Sequence, residues 1–217
     1  MARLNISWRS LNEIAPQAVT TGEIEENAEE TRQTAMRAEK PMLVYVTSDD
    51  PTDKTTRKLE AIVFANEKVG LGAKFFDTIK VANGDALQDR LLKEHGRFSP
   101  RLVFMTRDYK VSGVLQKKQL TAGKLLKAMK RLAKKEYATK FEEMVRAYTK
   151  LLNELDRLES KRAALADQRR RLQEKPNKSR AKKVARGETE HEAEMDAWKK
   201  KETDVLKFRI KGEKAEA

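Results

Sequence analysis

The chain has 217 residues, of which 37% are charged and only 6% aromatic, so it holds one domain with a solvated extension or two small domains. Cysteine is absent, which excludes disulfides, thiolate zinc sites and cysteine nucleophiles. Of the formal net charge of +13, residues 1–119 contribute +2 and residues 120–217 contribute +11, so the second half predicts an acidic partner: nucleic acid, an acidic protein surface or anionic lipid.

The N-terminal segment, residues 1–21, mixes apolar and turn-forming residues around Trp8. We predict an N-terminal arm or short strand that packs Trp8 against the domain; the alternative is an exposed tryptophan that anchors a partner. From Gly22 to Glu39 the apolar spacing and the early acids predict a helix.

No run in the sequence is apolar enough for a signal peptide or for the roughly 20 apolar residues of a membrane span. We therefore expect a cytoplasmic protein.

A short apolar run, Met42–Val46, is rich in β-branched residues and predicts a buried central strand. A polar turn follows it. There Asp50 is a good N-cap, Pro51 suits the first helical position, and Asp53 places a carboxylate near the positive end of the helix dipole. The sequence therefore predicts that a helix begins directly after the strand.

Helices and strands alternate beyond this turn, which indicates βαβ units and a sheet with parallel pairs. A final helix begins near Leu120. The elements predicted between these points are a helix over Thr55–Lys68 that Gly70-Leu71-Gly72 ends, a strand over Phe75–Val81, a turn at Asn83-Gly84-Asp85, a helix over Ala86–Glu94, an apolar strand headed by Pro100 within Arg97–Met105, a hairpin turn at Arg107–Lys110 and an edge strand over Val111–Lys117.

The strand, turn and helix around residues 40–54 resemble the start of many thioredoxin-like domains. In that family a lysine and a proline precede the strand, and a Cys-x-x-Cys pair lies at the turn. In this chain the four residues in place of the pair are Asp50, Pro51, Thr52 and Asp53. The resemblance implies the thioredoxin fold without its chemistry, because disulfide exchange requires a thiolate.

A proline at the head of the later apolar strand extends the resemblance. Thioredoxin-like domains carry a cis-proline at this place, usually beside the Cys-x-x-Cys turn, so the resemblance implies a cis bond between Ser99 and Pro100. Without it the expectation would be trans, since only about 5% of X–Pro bonds are cis. The resemblance covers residues 22–133 and implies an α/β, thioredoxin-like domain in which a mixed sheet is flanked by helices.

A long helical extension follows, over residues 134–210. No glycine or proline interrupts Lys124–Lys175, which predicts one continuous helix of about 50 residues that projects roughly 75 Å at ~1.5 Å per residue. Pro176 and Asn177 end that helix, and a return helix over Ser179–Ile210 is predicted to form an antiparallel coiled-coil hairpin with it; residues 211–217 are expected to form a flexible tail. The seam residues, at steps of three, four or seven, are Tyr137, Phe141, Met144, Tyr148, Leu151, Leu155, Leu158, Leu165 and Leu172, then Val184, His191, Met195, Trp198 and Val205.

The predicted end of this hairpin is strongly basic. Residues 168–186 carry nine basic side chains against a single acid, Glu174. Such a run suits phosphates or RNA, an acidic protein surface, or solubility alone. Aromatic residues for base stacking are absent, so a nucleic acid contact here would be with the backbone. The nine basic residues are Arg169, Arg170, Arg171, Lys175, Lys178, Arg180, Lys182, Lys183 and Arg186.

No constellation of residues predicts catalysis. Asp50 and Asp53 lack a companion acid, base or phosphate cradle, and helix capping explains both. Together with Asp49 they could hold Mg²⁺ or Ca²⁺ weakly, but they lack the glycine-punctuated loop of a dedicated cation site. His95 at a helix end and His191 on the seam have no partner for a triad or a metal. We therefore predict no enzyme activity, no cofactor and no metal.

These observations predict a redox-inactive, thioredoxin-like structural or adaptor subunit that docks protein partners in a larger assembly. The resemblance implies a protein-binding surface around Asp50, Thr52, Ser99 and Pro100, because active relatives bind extended peptides at the cis-proline. The alternative is a nucleic-acid or ribosome-associated factor that contacts phosphates through the basic hairpin end.

Self-association is a further expectation. The first seam extends beyond the predicted return helix, so Tyr137 and Phe141 would lack a partner within the chain and could pair between two copies.

Overall fold

A computed structural model of the chain describes residues 6–10, 38–89, 91–207 and 211. The helix predicted over Gly22–Glu39 and the tail predicted over 211–217 fall almost wholly outside these residues. The chain divides into two compact units: residues up to Phe141 together with Arg209–Ala217, and Glu142–Phe208.

A five-stranded mixed sheet organises the first unit, which confirms the predicted α/β class. The strands lie in the order β1-β3-β2-β4-β5. Strands β1 and β2 both run parallel to β3, β4 runs antiparallel to β2, and β5 runs antiparallel to β4. The strands are β1 (Arg9–Ser10), β2 (Met42–Thr47), β3 (Asp77–Ala82), β4 (Arg101–Met105) and β5 (Val111–Gln116).

Both faces of the sheet are buried at its centre, since every residue of β2 and β4 is buried. One face carries a cluster that includes Val44, Ile79 and Val103. On the opposite face the Tyr45 ring packs edge-on against Phe64 at 4.9 Å between centroids. Trp8 lies 5.3 Å from Tyr45 and 5.1 Å from Phe64. The prediction that Trp8 packs against the domain is therefore confirmed.

The helix predicted over Thr55–Lys68 is wrong in its extent. Helix α1 (Lys54–Lys58) continues as a π-helical turn over Leu59–Phe64, and a separate helix, α2 (Glu67–Ala73), follows. Asn66 separates them, because its side-chain oxygen caps α2 by accepting from Val69 N at 3.3 Å. Gly70 and Gly72 therefore lie inside α2 and do not end the preceding helix.

The turn predicted at Asn83–Asp85 is instead the first turn of helix α3 (Asn83–Gln88). The backbone N–H of Gly84 is satisfied by Asp49 Oδ1 at 2.9 Å, which holds this turn against the end of β2. The helix also ends earlier than Glu94, and a 3₁₀ turn over Lys93–His95 follows. Strand β3 is shifted from the predicted Phe75–Val81 to Asp77–Ala82.

The continuous helix predicted from Lys124 is also wrong. Helix α4 (Ala122–Glu136) ends at Tyr137, whose backbone is extended at φ −102° and ψ 144°, and helix α5 begins at Phe141. Tyr137 donates its hydroxyl to the carbonyl of Phe75 at 2.5 Å. The Phe141 ring lies 6.4 Å from Phe75 and 6.4 Å from Phe76. These tertiary contacts hold Tyr137 where its backbone is extended, so α4 ends there.

The same contacts show that Tyr137 and Phe141 have partners within the chain, so the prediction that they lack one is wrong. Only 4% of Tyr137 and 6% of Phe141 is exposed to solvent. Both side chains are buried within the first unit, so neither is available to a second copy.

The second unit is a helical hairpin built from α5 (Phe141–Glu174) and α6 (Lys178–Leu206). The break predicted at Pro176 and Asn177 is confirmed, and Asn177 caps α6 by accepting from Arg180 N at 3.0 Å. The two helices run antiparallel, since Lys201 pairs with Glu154 at 2.9 Å and Lys161 pairs with Glu194 at 3.0 Å.

Apart from Tyr137 and Phe141, the predicted seam residues lie in the hairpin core. The buried ones are Met144, Tyr148, Leu151, Leu155, Leu158, Val184, His191 and Trp198. Leu165, Leu172, Met195 and Val205 are half-buried.

Candidate functional site

Four strand ends converge at one edge of the sheet. The carboxyl ends of the parallel strands β2 and β3 meet there. Strand β4 begins there, because Arg101 pairs with Val46, and β5 ends there, because Gln116 pairs with Arg101. We call this surface the strand-end edge. It comprises Asp49–Asp53, Asn83, Gly84, Phe98–Arg101, Gln116 and Lys117.

The four residues that stand in place of a redox pair form a local hydrogen-bonded turn. Asp50 Oδ1 accepts from the Thr52 amide at 2.8 Å and from its hydroxyl at 2.7 Å. These bonds stabilise the carboxylate and lower the pKa of Asp50. Pro51 is exposed in the turn, before the helix. The prediction that Asp50 caps the helix and Pro51 begins it is therefore wrong.

Asp53 is the residue that caps α1. Its Oδ2 accepts from the Thr56 hydroxyl at 2.6 Å and from the Thr56 amide at 2.7 Å. The two bonds lower the pKa of Asp53, the hydroxyl contributing most. Asp49 Oδ1 is bound to Gly84. Each carboxylate at this turn thus has a structural partner, and the described part of the chain holds no group of three side chains suited to a metal ion.

The peptide bond between Ser99 and Pro100 is cis. Pro100 is buried, whereas Ser99 is exposed. Phe98 is 49% exposed, and the Lys117 ammonium lies 3.4 Å from the centroid of its ring. This cation–π contact fixes an aromatic face beside the cis-proline at the strand-end edge.

Arg101 is a feature that the sequence interpretation missed. Its side chain is 0% exposed. Nη1 donates to Asn83 Oδ1 at 2.8 Å and to the Phe98 carbonyl at 3.0 Å, while Nε and Nη2 have no acceptor among the described residues. Burial lowers the pKa of the guanidinium. A single arginine at the head of an apolar strand, directly after a proline, is the signal that could have found it.

The nine cations at the hairpin end fall into two groups. Three form ion pairs: Arg169 with Glu188 at 3.5 Å, Arg170 with Asp167 at 3.0 Å and Arg186 with Glu190 at 2.8 Å. The other six have no ion pair among the residues that the structure describes. These six are Arg171, Lys175, Lys178, Arg180, Lys182 and Lys183.

Four of the six unpaired cations line one groove between the end of α5 and the start of α6. The groove has a volume of about 680 Å³. We call it the cationic groove. Its lining is Gln168, Arg171, Leu172, Glu174, Lys175, Arg180, Lys183 and Val184.

Neither histidine is among the residues of the strand-end edge or the lining of the cationic groove. His95 is half-buried in the 3₁₀ turn. His191 is 9% exposed in the hairpin core, and its Nε2 lies 3.0 Å from the Leu158 carbonyl oxygen. Because a carbonyl only accepts, Nε2 carries a proton.

Of the described helices, none has the length and apolar character needed to cross a membrane. The chain matches no protein-family model, no curated protein and no solved structure.

Proposed function

We propose that the chain is a redox-inactive, thioredoxin-like adaptor subunit that docks protein partners through the strand-end edge. The strand order β1-β3-β2-β4-β5 with its mixed pairing supports the family assignment, as does the cis bond before Pro100. The observation that carries the non-catalytic role is the turn at residues 50–53. Its two carboxylates are committed to local hydrogen bonds with Thr52 and Thr56, and the whole chain lacks a thiol.

The surface beside this turn has the composition of a binding site. Phe98 offers an exposed aromatic face whose orientation the Lys117 ammonium restricts. Ser99, Asp50 and Thr52 are exposed beside it and supply polar groups for a polypeptide backbone. Aromatic anchors within a polar rim are typical of protein–protein interfaces. The partner we propose here is an extended protein segment.

The test is capture of partners by the tagged full-length chain in the cells it comes from, after nuclease treatment. The matched variants are Phe98→Ser at the strand-end edge and Ile62→Ser, which removes another large exposed apolar side chain, 60% exposed, from the π-helical turn. We expect a discrete set of proteins that Phe98→Ser loses and Ile62→Ser retains. Equal capture of partners by both variants would contradict docking at the strand-end edge. If no protein is captured after nuclease treatment, the adaptor role is wrong.

A further inference from the structure

The cationic groove concentrates charge that the hairpin itself does not use. Arg171, Lys175, Arg180 and Lys183 line it, and Glu174 is the single acid among its lining residues. None of the four cations forms an ion pair with a described residue, although acids further along the hairpin pair with Arg169, Arg170 and Arg186. Like charges held this close repel one another and destabilise the hairpin end. A bound anion would reduce this repulsion and so stabilise the hairpin end.

The start of α6 adds to the positive potential. Helices are stabilised by acidic residues in their first turn, where the dipole is positive. The first turn of α6 contains no acid, its N-cap is the neutral Asn177, and Lys178 and Arg180 lie at this end. Lys178 and Arg180 thus lie at the end of α6 where the helix dipole disfavours positive charge, and the cationic groove is next to this end.

The groove lacks the aromatic anchors of a protein interface. Residues 168–186 contain no tryptophan, tyrosine or phenylalanine, whereas tryptophan and tyrosine side chains in well-packed pockets carry much of the binding energy between proteins. Of the two apolar lining residues, Val184 is 6% exposed and Leu172 is half-buried. An acidic protein surface would find charge here but little apolar area to bury.

We propose that the cationic groove binds the phosphodiester backbone of a nucleic acid duplex, without regard to base sequence. Arginine matches phosphate with paired N–H donors, and lysine acts as a point charge; the groove holds two of each. A single strand would be bound by stacking its bases on aromatic side chains, which the groove does not offer. A duplex stacks its bases inside the helix and carries its phosphates on the outer surface, where cations can bind them without reading the base sequence.

The experiment measures binding of the full-length protein to short duplexes of mixed sequence by fluorescence anisotropy, over a range of salt concentrations. Duplex RNA and duplex DNA are compared, since both carry the same backbone phosphates. For four phosphate contacts the slope of log K against log salt is expected to be about −4, at roughly −0.9 for each contact. Binding to either duplex supports the proposal, and the tighter one identifies the source of the phosphates.

Two variants of equal net charge distinguish binding at the cationic groove from general attraction between the basic protein and the duplex. The groove variant is Arg171→Glu, Lys175→Glu, Arg180→Glu and Lys183→Glu. The control is Arg146→Glu, Arg157→Glu, Lys150→Glu and Lys200→Glu, four exposed cations elsewhere on the hairpin. Each changes the net charge from +13 to +5. We expect the groove variant to weaken binding about tenfold or more and to flatten the salt slope, and the control to stay within about threefold.

Circular dichroism checks that both variants keep their helices, and glutamine at the same four groove positions gives a milder version in which binding falls by a smaller factor. Equal weakening by the two charge-matched variants would overturn the proposal, because net charge alone would then govern binding. Tighter binding to polyglutamate than to either duplex would also overturn it and would assign the groove to an acidic protein. The absence of duplex binding at low salt would likewise overturn the proposal.

Discussion

The indole Nε1 of Trp198 donates a hydrogen bond to the main-chain carbonyl of Leu151 on the opposite helix of the hairpin, over 2.8 Å. Seven residues further along each helix, in opposite directions, the His191 ring contacts the carbonyl of Leu158 over 3.0 Å. Two ring nitrogens thus bind backbone carbonyls of α5 one heptad apart. These directional contacts fix the register of the hairpin, which apolar packing alone leaves weakly specified.

Two substitutions of Trp198 are expected to destabilise the hairpin to different extents. Trp198→Phe removes the N–H donor and part of the ring, and should lower the free energy of unfolding by about 1 kcal/mol. Trp198→Ala also leaves a cavity, and should lower it by roughly 3–5 kcal/mol. Urea denaturation followed by far-UV circular dichroism measures both. Lys200→Ala, an exposed neighbour on α6, should stay within about 0.5 kcal/mol of the wild type; a similar loss for Trp198→Phe and Trp198→Ala would refute the role of packing.

The hairpin core could be predicted because its signal is local. Steps of three and four between apolar residues follow directly from helix geometry, so Met144, Leu151 and Leu158 were identified without any knowledge of their partners. The cap at Asn177 and the break at Pro176 are also local. The alternation of helices and strands gave the α/β class for the same reason.

The break between α4 and α5 was missed because contacts distant in sequence cause it. Tyr137 bonds to Phe75, which lies 62 residues earlier, and no periodicity in the sequence reveals that contact. A weaker local signal was present. Lys134 and Lys135 lie in the last turn of α4, and Glu142 and Glu143 lie in the first turn of α5. This is the charge order expected at a helix end followed by a helix start.

The burial of Arg101 was missed because its environment comes from three separate segments. Asn83 lies at the start of α3, Phe98 in the loop before the cis-proline, and Gln116 at the end of β5. Only the strand order brings them together. Sequence reasoning placed Arg101 in a strand but could not tell which of its polar atoms would find partners.

Replacing Arg101 by methionine should leave the free energy of unfolding unchanged or raise it by up to roughly 2 kcal/mol. The side chain is fully buried, two of its nitrogens have no acceptor among the described residues, and a buried charge without a counter-ion is costly to desolvate. Methionine keeps the length and removes the charge. Chemical denaturation of the full chain gives the comparison.

A double-mutant cycle with Asn83 tests whether the hydrogen bond offsets this cost. Asn83→Ala in the wild type should cost about 1–3 kcal/mol, because the buried Arg101 guanidinium loses an acceptor. In the Arg101→Met background the same change should cost clearly less. Equal costs in the two backgrounds would show that the contact over 2.8 Å carries no coupling energy.

Two helical glycines should respond differently to alanine. A Cβ on Gly72 would lie 2.8 Å from Phe141 Cζ, and that ring is buried and packs against Phe75 and Phe76. We expect Gly72→Ala to lower the free energy of unfolding by about 1–3 kcal/mol through overpacking, despite the roughly 1 kcal/mol that alanine contributes in a helix.

Gly187 is the matched comparison. A Cβ there would lie 2.8 Å from Leu165 Cδ2, but Leu165 is half-buried and its methyl group can rotate away. The clash and the gain in helix propensity should nearly cancel, so Gly187→Ala is expected within about 1 kcal/mol of the wild type. Thermal and urea denaturation of both variants test the pair, and a stabilising Gly72→Ala would contradict the packing of Phe141 against α2.

The cap at Asp53 predicts a pH dependence with a definite sign. Hydrogen bonds from Thr56 lower the pKa of this carboxyl below its ordinary 3.8 in the folded chain, so the ionised form is favoured by folding. The stability that Asp53 contributes is therefore fully present above the unfolded pKa, and it is lost as the pH falls through the folded pKa. Asp53→Ala should lower the free energy of unfolding by about 1 kcal/mol at neutral pH. The difference in free energy of unfolding between Asp53→Ala and the wild type should shrink in acid.

Asp53→Asn is the control, because asparagine caps a helix without titrating, and it should keep most of the stability at every pH. Denaturation of the three chains from neutral pH into acid provides the measurement; a constant difference between Asp53→Ala and the wild type would mean that the carboxylate charge plays no part in the cap.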